Sequence, residues 1–236
     1  MNKLFDFHTH TTNNKQLDYY IDNNINCLLN CYSLEQFNQL YDVSLNHKNI
    51  KLSVGTHPSF LKEYDLLKYK LEYANVIGEI GMDDLWSVED LHKQAQIFVK
   101  QLNKAKELNK PVILHTKGME GFIAEVLQDY ELVCIVHWFS GDINDLKKLN
   151  DLGCYFTLGP DYRTNVNTHN VLDIVSWDKI LIETDGLGAL EWAYDKKCDL
   201  EEISNTLSNS IDYICKYKNV SKEDYLKHLD NFFNKL

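Results

Sequence analysis

Eight short apolar runs recur along the chain, at 3–8, 25–30, 50–55, 75–80, 111–115, 132–137, 153–158 and 179–184. Most consist of Val, Ile, Leu, Tyr and Phe with almost no charge, the pattern of parallel strands covered by helices. Each run is followed by a segment with helical character. Ser33-Leu34-Glu35-Gln36 and Ser87-Val88-Glu89-Asp90 have the form of capped helix starts. The second predicts the longest helix, with Leu91, Ala95, Phe98, Leu102 and Ala105 on its inner stripe. Ser221-Lys222-Glu223-Asp224 predicts a final helix ending in Phe232 and Phe233. No composition break or low-complexity linker divides residues 1–236. Eight strand–helix units in this length predict one α/β domain, a (β/α)8 TIM-type barrel or a closely related distorted one, with a C-terminal helix.

Composition narrows the class. No apolar stretch approaches the ~20 residues needed to span a bilayer. Residues 1–20 are polar, so no secretory leader is expected and a cytoplasmic location follows as the expectation. The six cysteines, at 27, 31, 134, 154, 198 and 215, include only one close pair, Cys27 and Cys31. Without a second pair there is no structural zinc motif, and reduced thiols are expected. A net charge of −11 argues against a broad surface that coats DNA through its backbone. It leaves a nuclease open, because divalent ions in a cleft would add local positive charge. Arg163 is the single arginine, so bidentate clamps on phosphate are scarce.

The barrel gives meaning to the ends of the strands, where such folds build their active sites. Asp6, His8 and His10 share one face of the first run by its period of two. Two imidazoles above a carboxylate could hold a metal ion, with a hydrogen bond from the carboxylate fixing a ligand. Glu79 closes the fourth run, His115 the fifth and His137 the sixth, while Asp185 follows the eighth. A lone histidine at a strand end is usually just hydrogen-bonded, and Asp185 alone could be a turn residue. Glu79 would be a costly buried carboxylate without a partner. Six metal-capable side chains converging on one rim point instead to a metal centre. His47, His92, His169 and His228 fall in or beside helices and read as surface or packing residues.

The segments Asp6-Phe-His-Thr-His10, Gly55-Thr-His-Pro58, Gly78-Glu-Ile-Gly-Met-Asp83, Pro111-Val-Ile-Leu-His-Thr116, His137-Trp-Phe-Ser-Gly141 and Glu183-Thr-Asp185 together resemble the TatD family of metal-dependent deoxyribonucleases, within the amidohydrolase-like barrels. Gln94, Phe98 and Asn231-Phe-Phe233 also fit, and the resemblance runs the length of the chain. It implies a site for two divalent ions, Zn, Mg or Mn. His8, His10, Glu79 and Asp185 would hold one, and Glu79, His115 and His137 the other, with Glu79 bridging. Asp185 would also take a proton from the attacking water. His57 and Lys117 are candidate contacts to substrate phosphate; the competing readings are a turn residue and a solvated lysine at a helix start. The implied substrate is DNA, in particular single-stranded ends.

Departures from the family pattern bear on substrate more than on metal. Lys117 stands where the family commonly has Arg, Leu187 where it has Pro, and Asp84 where it has an aromatic residue. The segment 190–199 lacks the usual Arg and Asn-Pro. Three alternatives stay open. The opening Asp6-Phe-His-Thr-His-Thr-Thr12 also resembles the polymerase-and-histidinol-phosphatase phosphoesterases. The same cage could serve an amidohydrolase acting on C–N bonds, although many of those bridge their metals with a carboxylated lysine. A non-enzymatic assembly role would be favoured by loss of a ligand.

Overall fold

The computed structural model describes residues 3–11 and 13–236, so Thr12 lies outside the described residues. In chain order the elements are β1 (Phe5–Thr9), α1 (Asn14–Asp22), β2 (Asn26–Cys31), α2 (Leu34–Asn46), β3 (Ile50–Val54), α3 (Tyr64–Leu67), β4 (Val76–Gly81) and α4 (Leu91–Leu108). There follow β5 (Val112–His115), α5 (Glu120–Leu127), β6 (Cys134–Val136), α6 (Ile143–Asp151), β7 (Tyr155–Leu158), α7 (Val166–Ile174), β8 (Ile180–Ile182), α8 (Leu187–Tyr194), α9 (Glu201–Lys218) and α10 (Lys222–Lys235). The strands form one eight-stranded sheet in sequential order, every neighbouring pair parallel, which makes the fold a TIM-type (β/α)8 barrel.

Closure of the barrel is uneven. Among the described residues the ladder does not continue from β8 to β1. The seam is joined instead by the Asp6 carboxylate, which accepts from Thr184 N at 3.0 Å and Thr184 Oγ1 at 2.6 Å, and by Asp185 N donating to His8 O at 3.0 Å. Asp6 was expected beneath the two histidines as their hydrogen-bond partner. It bonds to Thr184 and Tyr20 instead, because the open seam leaves the buried Thr184 amide without a strand partner.

The eight expected runs all form strands, with ends displaced by at most two residues. The sixth and eighth pair only over Cys134–Val136 and Ile180–Ile182. Beyond them the chain leaves the sheet through Trp138 (φ 37°) and Asp185 (φ 57°), which turn the mouth residues inward. Ser33 and Ser221 cap α2 and α10, accepting from Gln36 N and Asp224 N. Ser87 does not start α4. It accepts from Glu89 N, and the helix begins after Asp90, whose carboxylate accepts from Lys93 N at 3.0 Å. At 18 residues α4 shares its length with α9, whose stripe Ile203, Leu207, Ile211 and Ile214 is buried. The crossover after β3 holds short 3-10 turns and the four-residue α3 rather than a full helix. No described helix is long and apolar enough to cross a membrane.

Helix α10 fastens the end of the chain to its beginning. Phe5 and Phe7 point away from Asp6 and His8, onto Phe232 and Phe233, with ring centroids 5.7–6.1 Å apart. Phe233 is almost wholly buried between them. Phe233→Ala should therefore lower unfolding stability by about 3–5 kcal/mol. Urea denaturation of the variant should show an earlier midpoint with an unchanged slope, and a loss below about 1 kcal/mol would contradict this packing role.

Candidate metal centre

All the candidate side chains lie at the C-terminal ends of the strands. His8 is within β1 and His10 one residue past it; Glu79 is within β4; His115 ends β5; His137 follows β6; Asp185 lies three residues past β8. The parallel topology brings these six to one floor. Glu79 is its centre, 3% exposed. Its Oε1 lies 2.6 Å from His115 Nδ1, 3.1 Å from His137 Nε2 and 3.7 Å from His57 Nε2. Its Oε2 faces His8 Nε2 at 3.5 Å and His10 Nε2 at 3.3 Å. Asp185 Oδ1 completes that second group, 3.2 Å from His8 Nε2 and 3.6 Å from His10 Nε2. The two oxygens of one carboxylate thus serve two separate sets of histidines.

These spacings allow a test of whether a cation fits. Donors bound to one tetrahedral ion at ~2.0–2.2 Å stand roughly 3.3–3.6 Å apart, longer than a good hydrogen bond. The His8, His10, Asp185 and Glu79 Oε2 contacts, 3.2–3.6 Å, match that spacing. His8 Nε2 is buried and has no hydrogen-bond partner, although it faces two carboxylate oxygens. A divalent ion between them would satisfy all three. Three groups of potential ligands occur among the described residues: His8, Glu79 and His137; His8, His10 and Asp185; and His57, Glu79 and His115.

The electrostatics follow from this crowding. Burial works to raise the Glu79 pKa, but His137, His57, His115 and His8 outweigh it and hold the carboxyl well below its ordinary value. Burial likewise opposes ionisation of Asp185, yet the close approach of His8 Nε2 and the charges of His8, His137 and His10 bring its pKa down to about 2. Burial works against a charge on His137, but Glu79 and Glu183 overcome it and push its pKa up to about 10. His8, stacked on His137 with ring centroids 4.0 Å apart, is shifted down by burial and by that neighbouring charge. His57 is lowered to about 4, chiefly by burial, and is neutral at pH 7.

His57 is brought into the cluster itself, its ring 4.5 Å from that of His115. Lys117 is not a solvated lysine: it is 4% exposed. Its ammonium donates to Trp138 O at 2.5 Å and Ser140 Oγ at 3.1 Å, and burial lowers its pKa. Other participants had no role assigned from sequence. Asp83 Oδ2 lies 3.0 Å from His115 Nε2, leaving Nδ1 to face Glu79. Gly81, with φ +147°, permits this turn, since a Cβ there would lie 1.9 Å from His115 O. Glu183 is fully buried, its Oε1 3.4 Å from His137 Nδ1. Asn30 places its amide 2.9 Å from His8 Nδ1. Asp83 and Glu183 sit inside the recognisable motifs, but nothing in their spacing states what they touch. The cluster floors a cavity of about 610 Å3 whose walls include Tyr32, Phe60, Trp86, Trp138 and Trp192.

Cation binding should depend on pH in a definite sense. With its pKa raised to about 10, His137 is protonated at neutral pH in the ion-free protein, and a cation must displace that proton. Affinity is therefore expected to rise with pH, about tenfold per unit between pH 6 and 8 for each proton released. Calorimetric titration of Mn2+ in buffers of different ionisation enthalpy measures both quantities, and a flat profile with no proton release would exclude His137 as a ligand.

Comparison with known proteins places this geometry in a family. The family model described as TatD related DNase matches residues 5–236. An uncharacterised metal-dependent hydrolase of Methanocaldococcus jannaschii is 30% identical over 145 residues, 58% of this chain and 57% of that protein. The uncharacterised metal-dependent hydrolase YcfH of Escherichia coli is 28% identical over 169 residues, 67% of this chain and 64% of its own length. The matched region thus spans less than two thirds of either relative. Among solved structures, the TatD homologue YjjV of Escherichia coli superimposes with a TM-score of 0.82 over 100% of this chain and 98% of its own, at 20% identity. A TatD family hydrolase of Entamoeba histolytica gives 0.75 at 15% identity, covering 99% of this chain and 96% of its own. At such identities the structural likeness speaks for the fold alone, while the family match runs through every ligand segment. This chain belongs to the TatD family of metal-dependent hydrolases.

Proposed function

We propose that this chain is a phosphodiesterase that trims single-stranded DNA ends, using two divalent ions (Zn, Mg or Mn) on the floor of the barrel. The observation that carries the reading is Glu79, whose two oxygens face two histidine sets in the manner of a bridging ligand. His8, His10, Glu79 and Asp185 would hold one ion, and Glu79, His115 and His137 the other. When bound, the ions supply Lewis acidity, activating water and offsetting the charge that gathers on the phosphate and the leaving 3′-oxygen. The rest falls to the chain. Asp185 is ionised at neutral pH and borders the cavity, so it can accept the proton of the attacking water. Glu79 and Asp83 hold His115 from both ring nitrogens. Neutral His57 offers one N–H and Lys117 an ammonium to the non-bridging phosphate oxygens.

Single-stranded ends suit this molecule better than duplex. The floor lies inside a cavity, and a net charge of −11 with one arginine leaves little to grip a duplex backbone. All six cysteines are free thiols, which fits a reducing cytoplasm.

The direct test is an assay on end-labelled single-stranded DNA with Mn2+, Mg2+ and Zn2+ in turn, mapping the product ends. A panel of cyclic amides run alongside would expose a C–N hydrolase. Asp185→Asn, which removes the proton acceptor but keeps its shape, should lower kcat by roughly 10² or more. Glu79→Gln should instead reduce occupancy of both ions, seen by metal analysis. Near wild-type turnover in Asp185→Asn would assign the proton to another group.

Salt dependence gives a separate check. Oligonucleotide binding, followed by fluorescence anisotropy from about 50 to 200 mM salt, should show a slope of roughly one to two phosphates and should largely vanish with chelator. A steep slope, or tight duplex binding that survives chelation, would reveal a basic surface and contradict the end-trimming reading.

A further inference from the structure

The cavity walls carry more aromatic surface than the chemistry of the floor requires. Trp86 and Trp192 line the cavity yet remain about two-thirds exposed, at 65% and 67%. Between them Trp138 is almost buried and rigidly set. Its indole Nε1 donates to Asp161 Oδ1 at 2.7 Å, and Asn165 Nδ2 holds the other oxygen of that carboxylate at 2.8 Å. Its ring lies against Gly159, where an added Cβ would come within 2.3 Å of the indole. Trp192 meets Trp138 edge to face, centroids 5.7 Å apart at 72°. Lys117 sits among these rings, its Nζ 5.8 Å from the centre of Trp86 and 5.9 Å from that of Trp138. The same ammonium is bonded to the Trp138 carbonyl, so the cation and the indole wall are one assembly.

Exposed indole faces cost free energy in water and are normally covered or used. Here they open onto a cavity beside a buried cation and a cluster of metal-ligating groups. After β2 and β3, Tyr32 stacks on Phe60 with centroids 4.7 Å apart and rings within 12° of parallel. A ligand matched to this mouth is anionic at its centre and flat and aromatic on its flanks. A nucleotide chain has that form: a phosphate between two bases. A cyclic amide or a sugar phosphate has the polar centre and lacks the flat flanks.

We propose that Trp86, Trp138 and Trp192, grouped around Lys117, form a nucleobase subsite that holds the base next to the phosphate being cut. This rests on the phosphodiesterase reading and deepens it: substrate is gripped by stacking, which every base permits, rather than by surface charge. Trp192 lies in α8, the helix that follows Asp185, so the base and the proton acceptor are positioned by one short segment. That segment is also where the chain departs from the family's Arg- and Asn-Pro-containing pattern.

The test uses the full chain loaded with Mn2+ and two probes that undergo no phosphodiester cleavage, thymidine 5′-monophosphate and deoxyribose 5-phosphate. Binding is followed by tryptophan fluorescence and by calorimetry. The nucleotide is expected to bind about tenfold or more tightly than the base-less phosphate, the scale of one stacked base. Trp192→Ala removes an exposed side chain and should erase most of that ratio by weakening the nucleotide alone, while Trp192→Phe should restore much of it. Equal binding of the two probes by the wild type, or an unchanged ratio in Trp192→Ala, would overturn the proposal. The two readings separate cleanly. A protein that cuts labelled DNA but binds both probes equally loses the subsite and keeps the nuclease. A protein with the Trp192-dependent preference that leaves DNA uncut keeps the subsite and loses the nuclease.

Discussion

The carboxylate of Glu79 is the constraint around which the mouth of the barrel is arranged. It is buried at the end of β4, where an unpaired negative charge would cost several kcal/mol. Four histidines, His137, His57, His115 and His8, instead hold it ionised against that burial. Each of these comes from a different strand end, so the charge can be satisfied only when the sheet has assembled. The compensation is incomplete as it stands. His8 Nε2 finds no hydrogen-bond partner among the carboxylates it faces, and His8 and His137 are stacked too closely to carry charge together. A cation is the group that resolves both conflicts, because it replaces protons that the histidines cannot all hold.

The seam between β8 and β1 ties barrel closure to the same site. Where backbone pairing stops, Asp6 spans the gap by accepting from the Thr184 amide and hydroxyl and from Tyr20. Burial drives the Asp6 pKa up to about 7, and those hydrogen bonds only partly oppose the shift. The adjoining Asp185 then sits against His8 with its backbone in the left-handed region, its amide bonded to the His8 carbonyl. Gly186 completes the turn because a Cβ there would lie 2.4 Å from His10 O. Such strain is retained where the surrounding contacts over-determine it, as at a functional centre. On the far side of β1, Phe5 and Phe7 anchor α10, so one strand links the metal floor, the seam and the core.

In the proposed reading, charge and aromatic surface divide the work of recognition. A net charge of −11 keeps polyanions away from the outer surface. Lys117, which lines the cavity, is buried, and its ammonium is oriented by a carbonyl and a hydroxyl. Indole and phenol rings around it provide contact area without added charge.

The eight strands, the capped starts of α2 and α10 and the inner stripe of α4 were legible in the sequence, because parallel strands and amphipathic helices have periods that survive without tertiary context. Strand ends carrying His8, His10, Glu79, His115, His137 and Asp185 were legible for the same reason: in a barrel, a residue at the end of a strand has a known destination. What Asp6 does was not, since whether β1 pairs with β8 depends on how the sheet closes, and its carboxylate followed the unpaired donors. Asp83 and Glu183 stood in view inside motifs, but contact with His115 and His137 arises between separate strand ends and has no spacing along the chain. For Lys117 the sequence left a phosphate contact and a solvated helix-start lysine both open; the loop after β6, which brings Trp138 O and Ser140 onto its ammonium, removes the second. Local order is written in the period of a segment. Which side chains share a proton, a cation or a ring face is decided only when distant segments meet.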